Sequence, residues 1–310
     1  MADIVITEFM DKGAVDGLAA DYDVLYDQNL VDQPGRLNEV VVGARALIVR
    51  NRTQVRGALL KACDSLVCIG RLGVGLDNID VDACAERGIA VLPATGANSR
   101  SVAEYVIAGA MMLLRGAYHS NDSMIAGKWP REPLGAGREV LGSRLGLIGF
   151  GRIARDTAAL AKAVGMEVLA YDPNVASDDD AWSDLGVTSA SFDDVLATSD
   201  AVSLHVPLMA ETRHLINAQA LAKMRANAVL INAARGGVVD ERALAAALTD
   251  GKLGGAMLDV FEAEPLKEGS RFKGVPNLIL TPHIGGLTEQ ANVRVSSVTA
   301  ENVRRVLENV

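Results

Sequence analysis

The stretch SRLGLIGFGRIARD, Ser143 to Asp156, decides the predicted fold of the second half of the chain. It begins as a short apolar strand, breaks at Gly149 and Gly151, and continues with a helical pattern. The pyrophosphate fingerprint G-x-G-x-x-G is only partly present, because Ala154 stands at the third glycine position. That position serves close packing between helix and strand, where one methyl group is tolerable. The stretch therefore predicts a dinucleotide site at the start of the helix.

An acidic residue ends the next predicted strand, EVLAYDP. Asp172 lies about twenty residues beyond the glycine turn, and a carboxylate there can bind the adenine ribose hydroxyls and repel a 2′-phosphate. This favours NAD over NADP as the cofactor. Two alternatives stay open: the glycine turn could be purely structural, and Asp172, followed by Pro173, could be a capping or turn residue.

Composition and charge limit the classes of protein that the chain can represent. Its 310 residues are enough for two domains, and 49% of them are hydrophobic and 22% charged, as in ordinary globular proteins. The net charge of −9 opposes binding to nucleic acid and to anionic membranes. The chain starts directly with a strand-like pattern and has no run of about 18 uncharged apolar residues, so we expect neither secretion nor a membrane span.

The three cysteines, Cys63, Cys68 and Cys84, are odd in number and form no CxxC pair. We therefore expect buried, reduced thiols and a cytoplasmic location. The four histidines and three cysteines show no ligand spacing, so the sequence gives no reason to expect a metal site.

Short apolar segments alternate with helical patterns along the whole chain. The first third contains four strand candidates, DIVITEF, ARALIVR, SLVCIGR and GIAVLPA, with helical patterns such as Thr53–Ala62 and Asp80–Arg87 between them. Six more strand candidates follow: LGLIGFG, EVLAYDP, AVSLHVP, AVLINAA, GGAMLDV and LILTPHI. The alternation predicts an α/β protein with two doubly wound parallel-sheet domains, the second of which is a Rossmann-type nucleotide-binding domain.

Two helical segments define the predicted domain boundaries. Arg100–Ser120 is apolar nearly all round, so we expect it to be buried, either inside its own domain or at a subunit interface. The last segment, from residue 287 to 310, is amphipathic and is expected to return to the first domain. The predicted domains are residues 1–99 together with 287–310, which bind substrate, and residues 100–286, which bind NAD.

Three charged side chains follow predicted strands, where the ligand clefts of such sheets open. His283 lies in LILTPHIGG, Arg235 in VLINAARGG and Glu264 in AMLDVFEAEP. The carboxylate can hold the imidazole in its protonated form as a general acid near neutral pH. The guanidinium can bind a carboxylate through two hydrogen bonds and polarise the neighbouring carbonyl. This trio suits hydride transfer to a 2-keto acid, although a single histidine at such a place could equally be structural.

The segments GRLGVGLDNID, GFGRIA, NAARGGVVDE, LDVFEAEP and TPHIGG, in this order, resemble the D-isomer-specific 2-hydroxyacid dehydrogenases. This family includes 3-phosphoglycerate dehydrogenase, and the resemblance extends from about Arg45 to Thr288. It implies a flavodoxin-like substrate domain and a Rossmann cofactor domain, with the active site in the cleft between them. It also implies NAD as cofactor and a homodimer or homotetramer.

The resemblance also implies roles for individual residues. His283 matches the acid–base histidine, Glu264 its carboxylate partner and Arg235 the substrate arginine. Cofactor contacts are expected for Gly149, Gly151, Arg152, Ile153, Asp172, His205, Pro207, Thr212, Ala233, Asp259, His283 and Gly285, with Asp259 near the nicotinamide amide. The backbone amides of Val74 and Gly75 are expected to meet the substrate carboxylate, with a ligand-free glycine turn as the alternative.

Three arginines follow strands of the first domain: Arg50, Arg52 and Arg71. They match arginine-bearing loops of the phosphoglycerate dehydrogenases, so we expect a small anionic 2-hydroxy or 2-keto acid with a second anion on C3, such as 3-phosphoglycerate or 3-sulfolactate. Chain length and the segment VRNRT favour sulfolactate. One or two of these arginines could instead be paired surface residues. Other candidate functions are a hydroxypyruvate or glyoxylate reductase and an NAD-sensing corepressor.

Overall fold

The chain folds into two compact units. A computed structural model describes residues 2–116, 120–176, 178–268 and 270–310. Unit 1 consists of Met1–Asn98 and Leu287–Val310, and unit 2 of Ser99–Gly286. Within the described ranges, no helix combines the length and the apolar character that crossing a lipid bilayer requires.

Unit 1 is built on a five-stranded sheet in which every pairing is parallel. Its strands are β1 (Ile4–Ile6), β2 (Val24–Tyr26), β3 (Ala46–Val49), β4 (Cys68–Arg71) and β5 (Ala90–Pro93). The helices between them are α1 (Lys12–Ala19), α2 (Pro34–Val40), α3 (Gly57–Ala62) and α4 (Val81–Glu86), with a 3-10 helix at Leu30–Asp32. The strand order β2-β1-β3-β4-β5 is that of flavodoxin-like folds, whose direction of winding reverses between β1 and β3.

Unit 2 contains a seven-stranded parallel sheet in the order β12-β11-β10-β9-β6-β7-β8. Its strands are β6 (Arg144–Ile148), β7 (Glu167–Tyr171), β8 (Thr188–Ser189), β9 (Ala201–Leu204), β10 (Val229–Asn232), β11 (Gly255–Leu258) and β12 (Leu278–Leu280). Its helices are α5 (Ser99–Arg115), α6 (Asn121–Ile125), α7 (Arg131–Leu134), α8 (Arg152–Ala163), α9 (Asp180–Leu185), α10 (Phe192–Thr198), α11 (Ala218–Lys223) and α12 (Glu241–Thr249). The winding reverses between β6 and β9, as in dinucleotide-binding domains.

The last helix, α13 (Glu289–Leu307), packs within unit 1 although it follows unit 2 in sequence. Val295, Val303 and Leu307 join the core formed by strands β1 and β3. Gly70 of β4 allows this close approach, because a Cβ atom there would lie 2.8 Å from the methyl groups of Thr299 and Val303. Unit 1 is therefore formed from both ends of the chain.

The predicted α/β class with two parallel sheets is confirmed, and the differences lie at the edges of the sheets. Strand β2 is half exposed and its apolar run is only three residues long, and β8 is an exposed pair of polar residues, so neither strand was predicted. The helix predicted from Thr53 begins at Gly57, since Thr53 is a buried loop residue. The predicted helix Arg100–Ser120 ends at Arg115, and residues 117–119 of that prediction lie outside the described ranges.

Helix α5 packs on the core of unit 2 through one face. Val102, Val106 and Ala110 are buried against strands and helix α8, and a Cβ atom on Gly109 would lie 2.1 Å from the Met257 side chain. Met111 and Met112 on the same helix are 37% and 45% exposed. The apolar character of α5 thus has two sources, a buried face inside the unit and an exposed face of methionines.

Candidate active site

The predicted site residues of unit 2 follow the carboxyl ends of neighbouring parallel strands. Gly149 follows β6, His205 follows β9, Arg235 follows β10 and His283 follows β12. Because parallel strands all end at the same edge of the sheet, these residues share one edge, beside the reversal point between β6 and β9.

The glycine turn after β6 is shaped by close contact with the loop after β9. Gly149 has a φ of 94°, and a Cβ atom there would lie 2.6 Å from the carbonyl oxygen of His205. The Gly149 N–H donates to Tyr171 O at 2.7 Å, which holds the turn against β7. At Gly151, by contrast, a Cβ atom would meet nothing within 4 Å, so space remains open in front of the helix.

Helix α8 begins at this open space without a side chain over its first N–H groups, because its N-cap is Gly151. Helices α9 to α12 are capped by side chains instead, those of Asp179, Ser191, Asn217 and Asp240. A depression of about 370 Å³ lined by Gly151, Arg152, Arg155 and Asp156 lies at the start of α8. Exposed amides, the positive end of the helix dipole and two arginines suit a pyrophosphate.

Two residues of the fingerprint pack on the sheet. Ala154, at the third glycine position, is fully buried in the core, and Ile153 packs partly buried against the same core. Ala154 therefore occupies a packing position, away from the open space at Gly151.

Asp172, after β7, is hydrogen-bonded to the glycine turn. Its Oδ2 accepts the Phe150 N–H at 2.8 Å, and its Oδ1 accepts the Asn174 N–H at 2.9 Å. The carboxylate thus stabilises the backbone between Gly149 and Gly151 and the turn that follows β7. Its negative charge beside the turn disfavours a 2′-phosphate.

The loop after β9 carries the predicted residues His205, Pro207 and Thr212. Ser203 Oγ lies 3.0 Å from His205 Nε2, and burial lowers the pKa of His205 to about 4, so this imidazole is neutral at physiological pH. Thr212 Oγ1 donates to Pro207 O at 2.6 Å and accepts the Met209 N–H at 2.8 Å. These bonds give the loop a fixed shape.

His283 and Glu264 are joined by a side-chain hydrogen bond. His283 Nδ1 lies 2.8 Å from Glu264 Oε2, and Glu264 Oε1 accepts the Phe261 N–H at 3.0 Å. Both side chains are partly exposed, His283 to 39% and Glu264 to 33%. Since Nδ1 faces the carboxylate, Nε2 is the nitrogen available to a ligand.

The pKa of Glu264 lies below its ordinary value. Burial alone raises the pKa of Glu264, but hydrogen bonds from His283 and the Phe261 N–H, and then the charges of His283 and Arg235, outweigh that effect. The carboxylate is therefore ionised at neutral pH and can stabilise a positive imidazolium. The influence of Arg235 on Glu264 also places the guanidinium near this pair.

The loop bearing His283 depends on the buried carboxylate of Asp259. Asp259 is 1% exposed and accepts three hydrogen bonds: from Thr281 Oγ1 at 2.6 Å, from the Ile284 N–H at 2.8 Å and from the Gly285 N–H at 2.7 Å. The Asp259 carbonyl also accepts the His283 N–H at 2.8 Å. Asp259 therefore fixes the backbone on both sides of the histidine.

A tyrosine extends this network. The Tyr105 hydroxyl is hydrogen-bonded to Thr281 Oγ1. Burial raises the pKa of Tyr105 to about 12, the hydrogen bond with Thr281 opposes that rise, and the charge of Asp259 adds to it. Tyr105 thus remains a neutral hydroxyl beside the loop.

Arg235 lies on a turn closed by Asn232. Asn232 Nδ2 donates to Arg235 O at 2.9 Å, and Asn232 Oδ1 accepts the Ala234 N–H at 3.0 Å, with Ala233 partly buried in the turn. A Cβ atom on Gly236 would lie 1.7 Å from Phe261 O, so the turns after β10 and β11 are in direct contact. Arg235 Nη1 donates to Ala234 O at 2.6 Å.

In unit 1, Arg50 follows β3 at the reversal point between β1 and β3. Its Nη2 donates to Asn292 Oδ1 at 2.5 Å, and its guanidinium carbon lies 5.5 Å from the centre of the Phe9 ring. Burial lowers the pKa of Arg50, and the nearby Glu8 and Tyr26 oppose that shift. Within the described ranges, no carboxylate oxygen lies within ion-pair distance of this guanidinium.

The backbone of this arginine loop is bound by Glu8, which is 5% exposed. Glu8 Oε1 accepts the N–H groups of Arg50 and Thr53 at 2.9 and 3.0 Å, and Oε2 accepts the Arg52 N–H at 3.1 Å. The Asn78 side chain donates to the carbonyls of Arg50 and Thr53 on the other side. The loop therefore has a rigid backbone.

The other predicted substrate residues bind within unit 1. The Arg52 guanidinium forms a surface ion pair with Asp32, with both side chains 58% exposed. Arg71 donates to Leu72 O at 2.6 Å and to Gly75 O at 2.7 Å, which closes the turn that carries Val74 and Gly75. Val74 is 37% exposed at the tip of this turn.

Several residues that shape the site were not predicted from the sequence. They are Glu8, Tyr105, Asn232, Thr281 and Asn292. Asn232 and Thr281 end apolar strands, and a polar residue at that place was a usable signal. Tyr105 and Asn292 lie inside helices, where their spacing gives no sign of a role.

Comparison with known proteins gives consistent matches. The family model for the NAD binding domain of D-isomer specific 2-hydroxyacid dehydrogenases matches residues 107–285. The (S)-sulfolactate dehydrogenase of Chromohalobacter salexigens is 56% identical over 307 residues, which cover 99% of both chains. The D-3-phosphoglycerate dehydrogenase of Synechocystis sp. is 39% identical over 312 residues, 99% of this chain but 54% of that protein.

A solved structure matches the fold over nearly the whole length. The D-lactate dehydrogenase of Aquifex aeolicus, complexed with NAD and lactic acid, has a TM-score of 0.85 and is 28% identical, covering 99% of this chain and 96% of its own. Together with the family match, this identifies NAD as the cofactor of unit 2.

The two glycines of the turn are expected to respond differently to alanine. Gly151→Ala places a methyl group in open space in front of α8, so the protein without NAD keeps its melting temperature while NAD affinity falls at least about tenfold. Gly149→Ala collides with His205 O and lowers both quantities. Thermal unfolding and calorimetric NAD titration measure the two effects, and unchanged NAD affinity in Gly151→Ala would contradict a pyrophosphate at this place.

Proposed function

The chain belongs to the D-isomer specific 2-hydroxyacid dehydrogenase family, and we propose that its substrate is a 2-hydroxy acid of the 3-sulfolactate type. Members of this family are NAD-dependent oxidoreductases of 2-hydroxy acids, and this chain is one of them. The single observation that carries the substrate is the 56% identity to an (S)-sulfolactate dehydrogenase over almost the full length of both chains. The phosphoglycerate dehydrogenase of Synechocystis sp., about half of which this chain spans, is 39% identical, and this lower identity makes phosphoglycerate the second choice.

His283 is proposed as the acid–base group of the reaction. In the oxidation, its Nε2 accepts the proton of the substrate hydroxyl while Nδ1 remains bound to Glu264. The ionised Glu264 stabilises the imidazolium that forms. NAD, when bound, supplies the hydride acceptor. In the reduction, the same imidazolium returns the proton to the carbonyl oxygen.

Arg235 is proposed to bind the substrate carboxylate. Its turn is held by Asn232 and by the contact of Gly236 with Phe261, and its Nη1 donates to Ala234 O, so the guanidinium starts from a well-defined backbone. A planar guanidinium binds a carboxylate through two parallel hydrogen bonds and orients it. Such orientation brings C2 of the acid to a constant place beside His283.

Arg50 is proposed to bind the distal anion. A guanidinium held by an amide and an aromatic ring retains its full positive charge for a ligand, whereas Arg52 already faces Asp32. The buried position of Arg50 strengthens its attraction for an anion. We propose Arg52 and Arg71 as weaker contributors to the same anion, and Val74 and Gly75 as donors to the substrate carboxylate.

A homodimer is proposed as the assembled form. Unit 2 exposes a group of large apolar side chains between α5 and β6, with Ile125, Trp129 and Leu141 exposed to 86%, 76% and 72%. We propose that they form one apolar surface with Met111, Met112 and Met124, which are also exposed, of the kind that proteins cover with a partner. A second copy of this chain is the partner that we propose, and pairing of two such dimers would give a tetramer.

The cytoplasm is the proposed location. Cys63, Cys68 and Cys84 are free and buried thiols, which a reducing compartment preserves. The net charge of −9 also gives the surface little attraction for nucleic acid or anionic lipid, so small molecules are the proposed ligands.

Turnover with NAD against a panel of 2-hydroxy acids tests the proposed substrate. We expect kcat/KM for sulfolactate to exceed the values for phosphoglycerate, glycerate, lactate and malate. His283→Ala should lower kcat by about 10²- to 10⁴-fold, because the general base is lost. A preference for glycerate would favour a hydroxypyruvate reductase instead, and full turnover in His283→Ala would overturn the mechanism.

The distal-anion role of Arg50 predicts a selective effect on KM. Arg50→Gln should raise KM for sulfolactate at least about tenfold more than KM for lactate, with little change in kcat, since the lost contact serves binding. Arg52→Gln should raise the same KM only about threefold, because Asp32 already neutralises that charge. Equal changes for both substrates in Arg50→Gln would show that Arg50 serves the loop and not the anion.

The apolar surface predicts the oligomeric state. The double substitution Ile125→Glu and Trp129→Glu should turn a dimer into a monomer in light scattering after gel filtration, because charges cannot be buried without partners. Val310→Glu, which alters a 77% exposed apolar residue of unit 1, is the control and should stay dimeric. A wild-type chain that runs as a monomer would contradict the proposal.

A further inference from the structure

A second group of charged side chains lies beside the loop that carries Glu264. Glu262 Oε2 lies 2.9 Å from Arg271 Nη1, and Glu262 Oε1 lies 3.3 Å from His214 Nε2. Glu241, the first residue of α12, completes the group, with Oε2 3.7 Å from the same Arg271 nitrogen. This group does not include the trio of Arg235, Glu264 and His283. It lies close to the trio in sequence, because Glu262 is two positions before Glu264.

Glu241 is the buried member of the group, with 4% of its surface exposed. Its Oε1 accepts the Glu262 N–H at 2.6 Å. Burial raises the pKa of Glu241; the Glu262 N–H opposes this rise, the Glu262 charge adds to it, and Arg271 and His214 oppose it. A buried carboxylate is costly without donors, so its bond to the Glu262 N–H is a strong local constraint.

The peptide group between Phe261 and Glu262 is held on two sides by one segment of chain. Its N–H is bound by Glu241, and its carbonyl lies so close to Gly236 that a Cβ atom there would be 1.7 Å away. The preceding N–H, that of Phe261, donates to Glu264 Oε1. The orientation of this one peptide group thus sets both the place of the Phe261 N–H and the path of the chain to Glu264.

We propose that Glu241 is a positioning residue for the Glu264–His283 pair. By binding the Glu262 N–H it holds the loop after β11 against the turn that carries Arg235, so that the carboxylate meets the imidazole. The inference rests on the proposed roles of His283 and Glu264. Glu241 acts through the length of its side chain, because its oxygen must come within hydrogen-bond distance of the Glu262 N–H. The charge of Glu241 is secondary.

Two conservative variants separate reach from charge. Glu241→Gln keeps an acceptor oxygen at the same distance but loses the charge, and should retain kcat within about threefold of wild type. Glu241→Asp keeps the charge but shortens the side chain by one methylene, and should lower kcat at least about tenfold, since displacements near 1 Å at a reacting group can cost about 10²-fold. In both variants NAD affinity, measured by calorimetry, should stay unchanged because the glycine turn is untouched.

The pH profile provides a readout that a general loss of stability would not move. Glu264 favours the protonated imidazole that the reduction needs, so a displaced Glu264 makes reductive kcat/KM decline at a lower pH on the alkaline side. We expect this limb to move down by about one pH unit in Glu241→Asp and to stay in place in Glu241→Gln.

Asp240→Ala is the matched control. Asp240 caps the same helix, accepting the N–H groups of Arg242 and Ala243, so its removal weakens α12 without touching the Glu262 N–H. Asp240→Ala should lower the melting temperature and leave kcat and the pH limb as in wild type.

The outcomes distinguish the inference from the function on which it rests. If Glu241→Asp shows wild-type kcat and pH limb, or behaves as Asp240→Ala does, the positioning role is wrong even where His283→Ala abolishes turnover. If Glu241→Gln is impaired as strongly as Glu241→Asp, an acceptor oxygen at the right distance is not sufficient, which also overturns it. If His283→Ala keeps full turnover, the proposed acid–base pair itself fails.

Discussion

The buried Asp259 carboxylate is the constraint on which the geometry of unit 2 depends. The carboxylate accepts hydrogen bonds from the Thr281 hydroxyl and from the N–H groups of Ile284 and Gly285. The backbone carbonyl of Asp259 accepts the His283 N–H. His283 has a φ of 57°, a conformation that side-chain-bearing residues adopt only when the surroundings enforce it. Asp259 supplies that enforcement, and the imidazole reaches Glu264 as a consequence.

The sheets were predictable from the sequence because most of their strands are buried on both faces. Strands β9, β10 and β11 are buried at every position, so each is mostly apolar, with Ser203 and Asn232 as the polar exceptions. Strand β2 offers only three apolar residues, between Asp23 and Asp27, and β8 is a pair of polar residues, so neither of these edge strands stands out in the sequence. These two strands take their places in the sheets by pairing with a neighbouring strand, and no local sequence pattern specifies that pairing.

The site was predictable where charge and position coincide. Arg235, Glu264 and His283 are ionisable residues that follow apolar strands, and that combination can be recognised in the sequence alone. The residues that hold Arg50 were not visible, since they lie far from it in the sequence. Asn292 binds Arg50 across 242 residues, and Glu8 binds the Arg50 amide across 42. A carboxylate that binds amides looks in sequence like any other acidic residue.

The two reversal points use their backbone amides in opposite ways. In unit 2 the helix after the glycine turn begins with no side chain over its amides, whereas in unit 1 the amides of Arg50, Arg52 and Thr53 are saturated by Glu8. Glu8 is in effect an internal anion, already seated where a phosphate would otherwise be drawn to the main chain. Any oxyanion recognised at this loop of unit 1 must therefore be recognised through side chains. Side chains can be exchanged one at a time over an unchanged backbone, so this loop can acquire a new acid as its ligand without losing its shape.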